Sequence, residues 1–396
     1  MAFLRSPNGR SHCRESLRRD NGRESGSQVG IALENSGFGD WYGAVVAASS
    51  ANDPWDEFRM AQRAVSRVGG RLRSLLDLFV LDRSVPERDF VLSLGERSAG
   101  WLRSNDVVRH VGSGRIQSNF CLLFCLRNYV FIDWPISTPL GRLMPVDTYL
   151  SGSSYDCALA VIERNPTCRA LELGSGSGLI AVLLAKRSHS VTAVDIDPRA
   201  IKLTKLNFTV NGVDAAIVQS NLTSSLSPNV RFDFVIVNPP WRIVPPGVAY
   251  PNPTARVGPG DDGLDYVRQV LAILPGILAP KGEAVIRFDV PVYESGACTL
   301  RPETESLLAS GLSMNLTILG EVSVAQQAKI SADTCRYLNV DVETPDLAQC
   351  FVDHYSSLGV SKLSQVFCAV RNDRAESAAL GDFATARSHE LILPGR

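Results

Sequence analysis

Two rhythms divide the chain. Between Trp55 and Val80 apolar residues recur at helical spacing: Phe58, Ala61, Val65 and Val68, then Leu72, Leu75, Leu76, Phe79 and Val80, with Gly69-Gly70 breaking the run. A third short helix is expected after Pro86, and RIQSNFCLLFCLRNYVFIDWP alternates as two strands turning near Arg127-Asn128. From Cys168 the pattern changes to short apolar runs separated by amphipathic ones. RALELG, SVTAVDID, AAIVQSN, FDFVIVN and EAVIRFDV read as strands, and NLTILGEV and QVFCAVRN add two more. GLIAVLLAKR, PRAIKLTKLNFTVNG and GLDYVRQVLAILPGILAPKG read as the helices between them, the second opening on Pro198 and stopping at Gly212. Strands alternating with helices imply a mostly parallel sheet covered on both faces.

These rhythms define the expected organisation. Residues 1–45 are rich in Ser, Gly, Asn and Arg without periodicity and are read as a disordered tail. Residues 50–145 form a smaller α+β domain, for which a winged-helix-like order is one of several that fit. Residues 146–372 form the α/β domain, with an added lobe over about 322–364, and 373–396 is a second loose tail.

Composition narrows the class. The chain has 396 residues, 45% apolar and 20% charged, with a formal net charge of −1. That is ordinary for a soluble globular protein, and the molecule as a whole gives no argument for a nucleic-acid partner. No apolar run reaches the roughly 18–20 residues needed to span a bilayer, and the first residues have no apolar signal core. A cytoplasmic protein with no membrane partner is the expectation; the pattern gives no oligomeric state. The 9 Cys lack a C-x-x-C pair and the 5 His are scattered, so no metal site is expected and Cys121 and Cys125 are read as buried thiols.

Candidate chemistry collects at the ends of the strands. LELGSGSG (171–178) is a strand, a glycine turn and a helix. Gly174, Gly176 and Gly178 let the backbone turn tightly and a ligand approach, with Ser175 among them. The spacing is not the G-x-G-x-x-G of a dinucleotide site, and Glu172 ahead of it favours a cationic cofactor over a pyrophosphate. Asp195, ending the second strand about 20 residues later, is placed to accept from ribose hydroxyls, with Ile196 beside it. Asn221, followed by Leu222, is placed to reach an adenine edge. The competing reading of Glu172 and Asp195 is as turn or helix-capping acids, although Asp197 before Pro198 is the better cap.

The fourth strand runs into Asn238-Pro239-Pro240-Trp241. The prolines fix φ and remove two N–H donors, leaving acceptors: the Asn238 side-chain oxygen and nearby carbonyls. Two such acceptors hold an –NH2 group on a planar molecule, with Trp241 against its π-face. Hydrogen bonds to both protons favour a tetrahedral nitrogen and aim a lone pair that is otherwise delocalised.

Taken together, ELGSGSG…VDID…NPPW resembles the class I S-adenosylmethionine-dependent methyltransferases, in particular the amino-methylating group with an Asn-Pro-Pro-aromatic motif. GPGDDGLDYVRQVLAILPGILAPKGEAVI is further similar to the HemK-like protein-glutamine methyltransferases. The resemblance covers about 145–290 and implies a doubly wound, mostly parallel, seven-stranded Rossmann-like sheet. It implies S-adenosyl-L-methionine as cofactor, held by Glu172, Gly174, Ser175, Gly176, Gly178, Asp195, Ile196, Asn221, Leu222 and Asn238. It implies Asn238, Pro239, Pro240 and Trp241 as the catalytic motif, and as acceptor a protein, nucleic acid or small molecule bearing a planar amide or exocyclic amine. Trp replaces the Tyr usual in glutamine methylases, and Asn221 stands where an Asp is common. The rival readings are a small-molecule methyltransferase, with Tyr250 and Arg256 of a Pro-rich loop rimming its pocket, and a non-catalytic cofactor-binding interaction protein.

Overall fold

A computed structural model of the chain describes residues 26–48, 54–134, 148–164, 169–222, 224, 226, 227, 229–248, 258–295, 299–337 and 346–373. It divides into two compact units. The first comprises residues 1–134 together with 205–214; the second comprises 135–204 and 215–396.

The second unit is an α/β sheet. Its strands are β1 (Arg169–Leu173), β2 (Ser190–Asp195), β3 (Ala216–Gln219), β4 (Phe232–Val237), β5 (Leu278–Tyr293), β6 (Leu312–Ser323) and β7 (Val360–Asn372). They lie in the order β3-β2-β1-β4-β5-β7-β6. β7 runs antiparallel to both its neighbours, while the pairings from β3 through β5 are parallel. The helices used below are α1 (Gly152–Ile162), α2 (Leu179–Ala185), α3 (Pro198–Val210), α4 (Asp265–Ile277), α5 (Arg301–Ala309), α6 (Val324–Tyr337) and α7 (Leu347–Ser357).

The β-branched run of β4 explains its central place. Val235, Ile236 and Val237 are fully buried, as strands covered on both faces require. Burying each such side chain stabilises the fold by about 1.5–3 kcal/mol. One face packs Val235 and Val237 with Val267, Val270, Leu271 and Leu274 of α4.

Two boundaries differ from the sequence reading. β5 begins at Leu278, ahead of the expected EAVIRFDV run, because an irregularity between Leu278 and Glu283 absorbs the turn residues inside the strand's pairing with β4. β5 also continues past the end of β4: Ile286 pairs with Val237, and seven further residues pair only with β7. At about 3.3 Å per residue this extension makes a wall roughly 23 Å long beyond the β4 edge. The stretch expected to add a lobe contains α6 and α7; residues 338–345 between them lie outside the described residues, as do 374–396 of the expected C-terminal tail.

The first unit begins earlier than expected. Residues 26–35 are helical, Phe38–Ala47 is a helix, and Val29, Leu33, Phe38 and Tyr42 are buried, so the tail expected over 1–45 does not extend past residue 25. Apolar contacts decide these ends where composition suggested none. Residues 1–25 lie outside the described residues, as do 135–147 around the expected boundary at 145. Helices Pro54–Ala64, Gly70–Phe79, Glu87–Leu94 and Glu96–Ser104 follow, with Val85–Pro86, Arg115–Ser118 and Val108–His110 as a small antiparallel sheet in that order. Helix, strand, two helices and a hairpin whose last strand pairs with the first is a winged-helix-like order.

The stretch read as two strands is three. Arg115–Ser118 joins the small sheet, and Cys121–Cys125 pairs with Asn128–Ile132 as a separate hairpin. Its turn is Leu126-Arg127, both at positive φ, one residue before the expected place. Cys121 and Cys125 are buried thiols. Asn207 and Asn211 close the hairpin's free edge. Each amide both accepts from and donates to one backbone residue, Asn207 with Phe131 (2.8 and 2.9 Å) and Asn211 with Tyr129 (3.1 and 2.7 Å). These side chains satisfy an edge that otherwise needs another strand.

Candidate active site

At the carboxyl end of β1 the chain turns through Gly174, Gly176 and Gly178, all at positive φ. Gly178 is required twice over: its φ is +81°, and a Cβ would meet Thr204 of α3 at 3.0 Å. The turn spends these N–H groups on the end of β2 and, once, on itself. Gly174 and Ser175 donate to the Val194 carbonyl (2.8 and 3.0 Å), Gly178 to the Ser175 carbonyl (2.7 Å), and Gly176 to Asp195 Oδ2 (2.8 Å). A phosphate cradle needs such donors free, so this turn is not one.

Glu172 is 2% exposed and does two things. It accepts the Ala181 backbone N–H in the first turn of α2, the capping role weighed against a cofactor role. Its Oε2 is buried with no hydrogen-bond partner among the described residues. Burial, and then the Asp195 charge, push its carboxyl well above the usual carboxylate range. An orphaned buried acceptor, unfavourable by itself, fits a ligand that is cationic or rich in donors.

Asp195 is committed on both oxygens, Oδ2 to Gly176 N and Oδ1 to Asp197 N (2.9 Å). A carboxylate has about four acceptor sites, so each oxygen retains capacity for a hydroxyl. Burial raises its pKa and these backbone donors oppose the rise. Asp197 caps α3 through Arg199 N (2.8 Å). Ile196 is 57% exposed, an apolar side chain left open beside Asp195. The Ser220 N–H donates to the Asp195 carbonyl (2.9 Å) and Gln219 Nε2 to the Ile196 carbonyl (3.3 Å). These bonds bring the ends of β2 and β3 together, so Ile196, Asn221 and Leu222 lie at one edge, Asn221 exposed and Leu222 half-buried against the core.

Ser175, expected among the cofactor ligands, turns its hydroxyl to the protein. Its side chain is buried and bonds Thr204 Oγ1 (3.1 Å), tying the turn to α3. Tyr266 of α4 was not singled out in the sequence. It lies within electrostatic reach of Asp195, and burial first and that charge second push its hydroxyl up to about 12.

At the end of β4, Pro239 is buried and Asn238, Pro240 and Trp241 are half-buried. Asn238 Nδ2 donates to Ser154 Oγ at 3.4 Å. Ser154 stands third in α1 and completes a reciprocal capping box with Ser151. Its hydroxyl accepts from Ser151 N as well (3.2 Å) and lies 3.2 Å from Ser151 Oγ, a contact in which either hydroxyl can donate. With Nδ2 toward Ser154, the Asn238 amide turns Oδ1 away from it. The S-x-x-S preceding an apolar helix was the available signal for this serine.

The loop before α4 lies against the motif backbone. Gly258 N donates to the Arg242 carbonyl (3.1 Å). Gly263, at φ +73°, would bring a Cβ within 2.4 Å of the Trp241 carbonyl oxygen, so only glycine permits the approach. Arg268 holds this loop through Asp262, Asp265 and Glu303. Beyond β4 the wall adds a buried charge chain. Arg287 donates to Asp156 of α1 (2.8 Å) and to Asp289 (2.7 Å), and burial raises the Asp289 pKa against the pull of Arg287. Tyr250 and Arg256 lie outside the described residues.

Among the described residues no group of three or more His, Cys, Asp or Glu is placed to hold a metal ion, and no helix is long and apolar enough to cross a membrane.

The seven-stranded, mostly parallel sheet with β7 alone reversed is a Rossmann-like α/β sheet. Residues 156–245 match the model of the methyltransferase small domain. A release factor glutamine methyltransferase of Deinococcus radiodurans is 31% identical over 140 residues, 33% of this chain and 49% of that protein. A ribosomal protein uL3 glutamine methyltransferase of Bradyrhizobium diazoefficiens is 36% identical over 167 residues, 38% and 50% of the two chains. A tRNA1(Val) (adenine(37)-N6)-methyltransferase of Aeromonas hydrophila is 30% identical over 121 residues, 30% and 50% of the two. The chain spans about half the length of the curated relatives it matches.

Proposed function

We propose that the chain transfers a methyl group to a planar amide or exocyclic amine nitrogen by in-line displacement. The carrying observation is the orientation of Asn238, whose amide NH2 is engaged by Ser154 and whose oxygen is left as an acceptor beside two prolines without N–H groups. S-adenosylmethionine, when bound, supplies an electrophilic methyl group on a positively charged sulfur. Glu172, with its orphaned Oε2, and Asp195, with spare acceptor capacity, hold it; the edge formed by Ile196, Asn221 and Leu222 flanks its base.

Asn238 Oδ1 and a neighbouring carbonyl take the two protons of the acceptor nitrogen and aim its lone pair, and Trp241 stacks on the planar group. Positioning of this kind accounts for up to about 7–11 kcal/mol of a barrier when the geometry is near-attack. Positive charge grows on the nitrogen as the bond forms, so the hydrogen bonds to Asn238 strengthen in the transition state. The methylated nitrogen, once charged, loses a proton readily, so no strong base is needed, and in sequence no His neighbours the motif.

The first unit is proposed to select the acceptor. Arg59, Arg63 and Arg67 recur every fourth residue and are exposed. If they meet phosphates, acceptor binding weakens steeply with salt; a flat dependence favours a protein acceptor. Incubating the chain with labelled S-adenosylmethionine and, separately, total protein, total RNA and a small-molecule extract tests the whole reading. Label is expected in protein or RNA. Cofactor binding with no label in any fraction would leave the non-catalytic reading in its place.

A further inference from the structure

Arg242, next after the catalytic motif, does not point into solvent. Its guanidinium carbon lies 5.4 Å from the centroid of the Trp241 ring, over one face. Its Nη1 donates to Ser331 Oγ on α6 at 3.2 Å. Gln327, one turn earlier on α6, donates to the same oxygen at 3.3 Å. Ser331 and Gln327 are buried at 0% and 2% exposed, and both lie within electrostatic reach of Tyr355 of α7, whose hydroxyl donates to the Ile243 carbonyl at 3.5 Å. The charge is answered from the wall: Asp289, itself buried, lies within electrostatic reach of Arg242 as well as Arg287. Ile243, the next residue, is buried in the apolar core of α6 and α7 with Ala328, Ala332, Phe351 and Tyr355.

We propose that Arg242 is a positioning residue that closes one face of the Trp241 indole and fixes its plane, leaving the opposite face to stack on the acceptor, and that the α6–α7 lobe between β6 and β7 is the part of the chain that holds Arg242 in place. The role of the opposite face rests on the methyltransferase reading; the fixing of the indole, which also packs against two apolar cores, does not. Only a planar guanidinium lies flat on a ring while donating in its own plane to Ser331; a lysine ammonium keeps the charge and loses that combination. The lobe thereby acquires a function that its distance in sequence from the motif conceals.

The test uses the full chain. Trp241 is one of 5 Trp, so its emission is taken as the difference between the chain and its Trp241→Phe variant. In Arg242→Met and in Arg242→Lys, acrylamide quenching of that difference is expected to rise about two- to fivefold, the population change that loss of one cation–π contact produces. Ser331→Ala is expected to give a smaller rise. S-adenosylmethionine affinity by calorimetry stays at the wild-type value in all three. Quenching unchanged in a folded Arg242→Met chain overturns the proposal, and so does Arg242→Lys behaving as wild type, since charge alone then suffices. If Arg242→Met does not fold, Arg242→Lys and Ser331→Ala decide on the same scale. With the acceptor fraction found by labelling, Arg242→Met raises the acceptor KM more than it lowers kcat; a purely structural role lowers the melting temperature and leaves KM alone. Wild-type chain that methylates nothing, with the quenching result intact, removes the functional reading and leaves the fixing of the indole standing.

Discussion

The part of the site proposed to hold the cofactor and the part proposed to hold the acceptor are built in different ways. Around β1 to β3 the key bonds join near neighbours: Gly176 to Asp195, 19 residues apart, and Asp197 to Asp195, 2 apart. Around β4 and β5 they join distant ones: Asn238 to Ser154, 84 apart, Arg242 to Ser331, 89 apart, and Arg287 to Asp156, 131 apart. The first half is two consecutive strand–turn–helix units, so its chemistry travels with a contiguous motif. The second gathers a capping serine, a strand end, a wall and an inserted lobe, so its geometry depends on segments far apart in the chain.

That comparison is broken most directly at Asn238. Asn238→Ala is expected to lower single-turnover methyl transfer by about 10²-fold or more, the loss seen when one preorganised polar contact to a transition state goes. Its cofactor affinity should remain near wild type. A folded variant with wild-type transfer would remove the motif's catalytic role.

Asp195→Ala is expected to do the reverse. It removes the acceptor that ties Gly176 and Asp197 together, and S-adenosylmethionine affinity should fall about ten- to a hundredfold, the range for hydrogen bonds to a charged group. Calorimetry giving lower turnover at unchanged affinity would mean that the two halves are not separable.

Glu172 sharpens the comparison through pH. Its folded pKa is raised, so its carboxyl holds a proton more tightly in the folded chain than in the unfolded one. Its contribution to stability is therefore most favourable below the ordinary carboxylate range and is lost as pH rises from about 4.5 through the folded value. Without cofactor, Glu172→Gln should melt higher than wild type at pH 8 and indistinguishably from it near pH 4. With cofactor at pH 8 the order should invert, because the variant loses the buried acceptor. Melting curves at the two pH values, with and without S-adenosylmethionine, check both signs.

The smallest effect is expected at Trp241→Phe. An aromatic face remains, so transfer should fall by less than in Asn238→Ala, the loss appearing mainly in the acceptor KM. Equal losses in the two variants would argue that the indole does more than stack.

Much of this was legible in the chain because strand and helix periods are local. The alternating pattern after Cys168 gave all seven strands of the sheet, and the glycine turn, Asp195 and Asn238 lie at strand ends as their order requires. What escaped had no local signal. The helices before residue 48 have a polar, Arg-rich lead-in, and their buried residues acquire meaning only against distant partners. Leu126-Arg127 is a turn without the glycine or asparagine that usually marks one, set by the register of the strands beside it. Ser175 sits in a motif that suggests a ligand, yet its hydroxyl faces Thr204, and only packing decides which way a turn side chain points.

By itself the sequence determined the order of elements, the covered parallel sheet and the stiff acceptor-rich tip of β4, because backbone propensity, proline geometry and apolar period act over a few residues. The tertiary structure alone decided that Ser154 orients Asn238, that Glu172 keeps one oxygen unpaired, and that a lobe inserted between β6 and β7 reaches back to Arg242. Those bonds span 84 to 89 residues where a sequence motif spans a handful. Their geometry exists only after the hydrophobic burial of the whole sheet has brought the strand ends together.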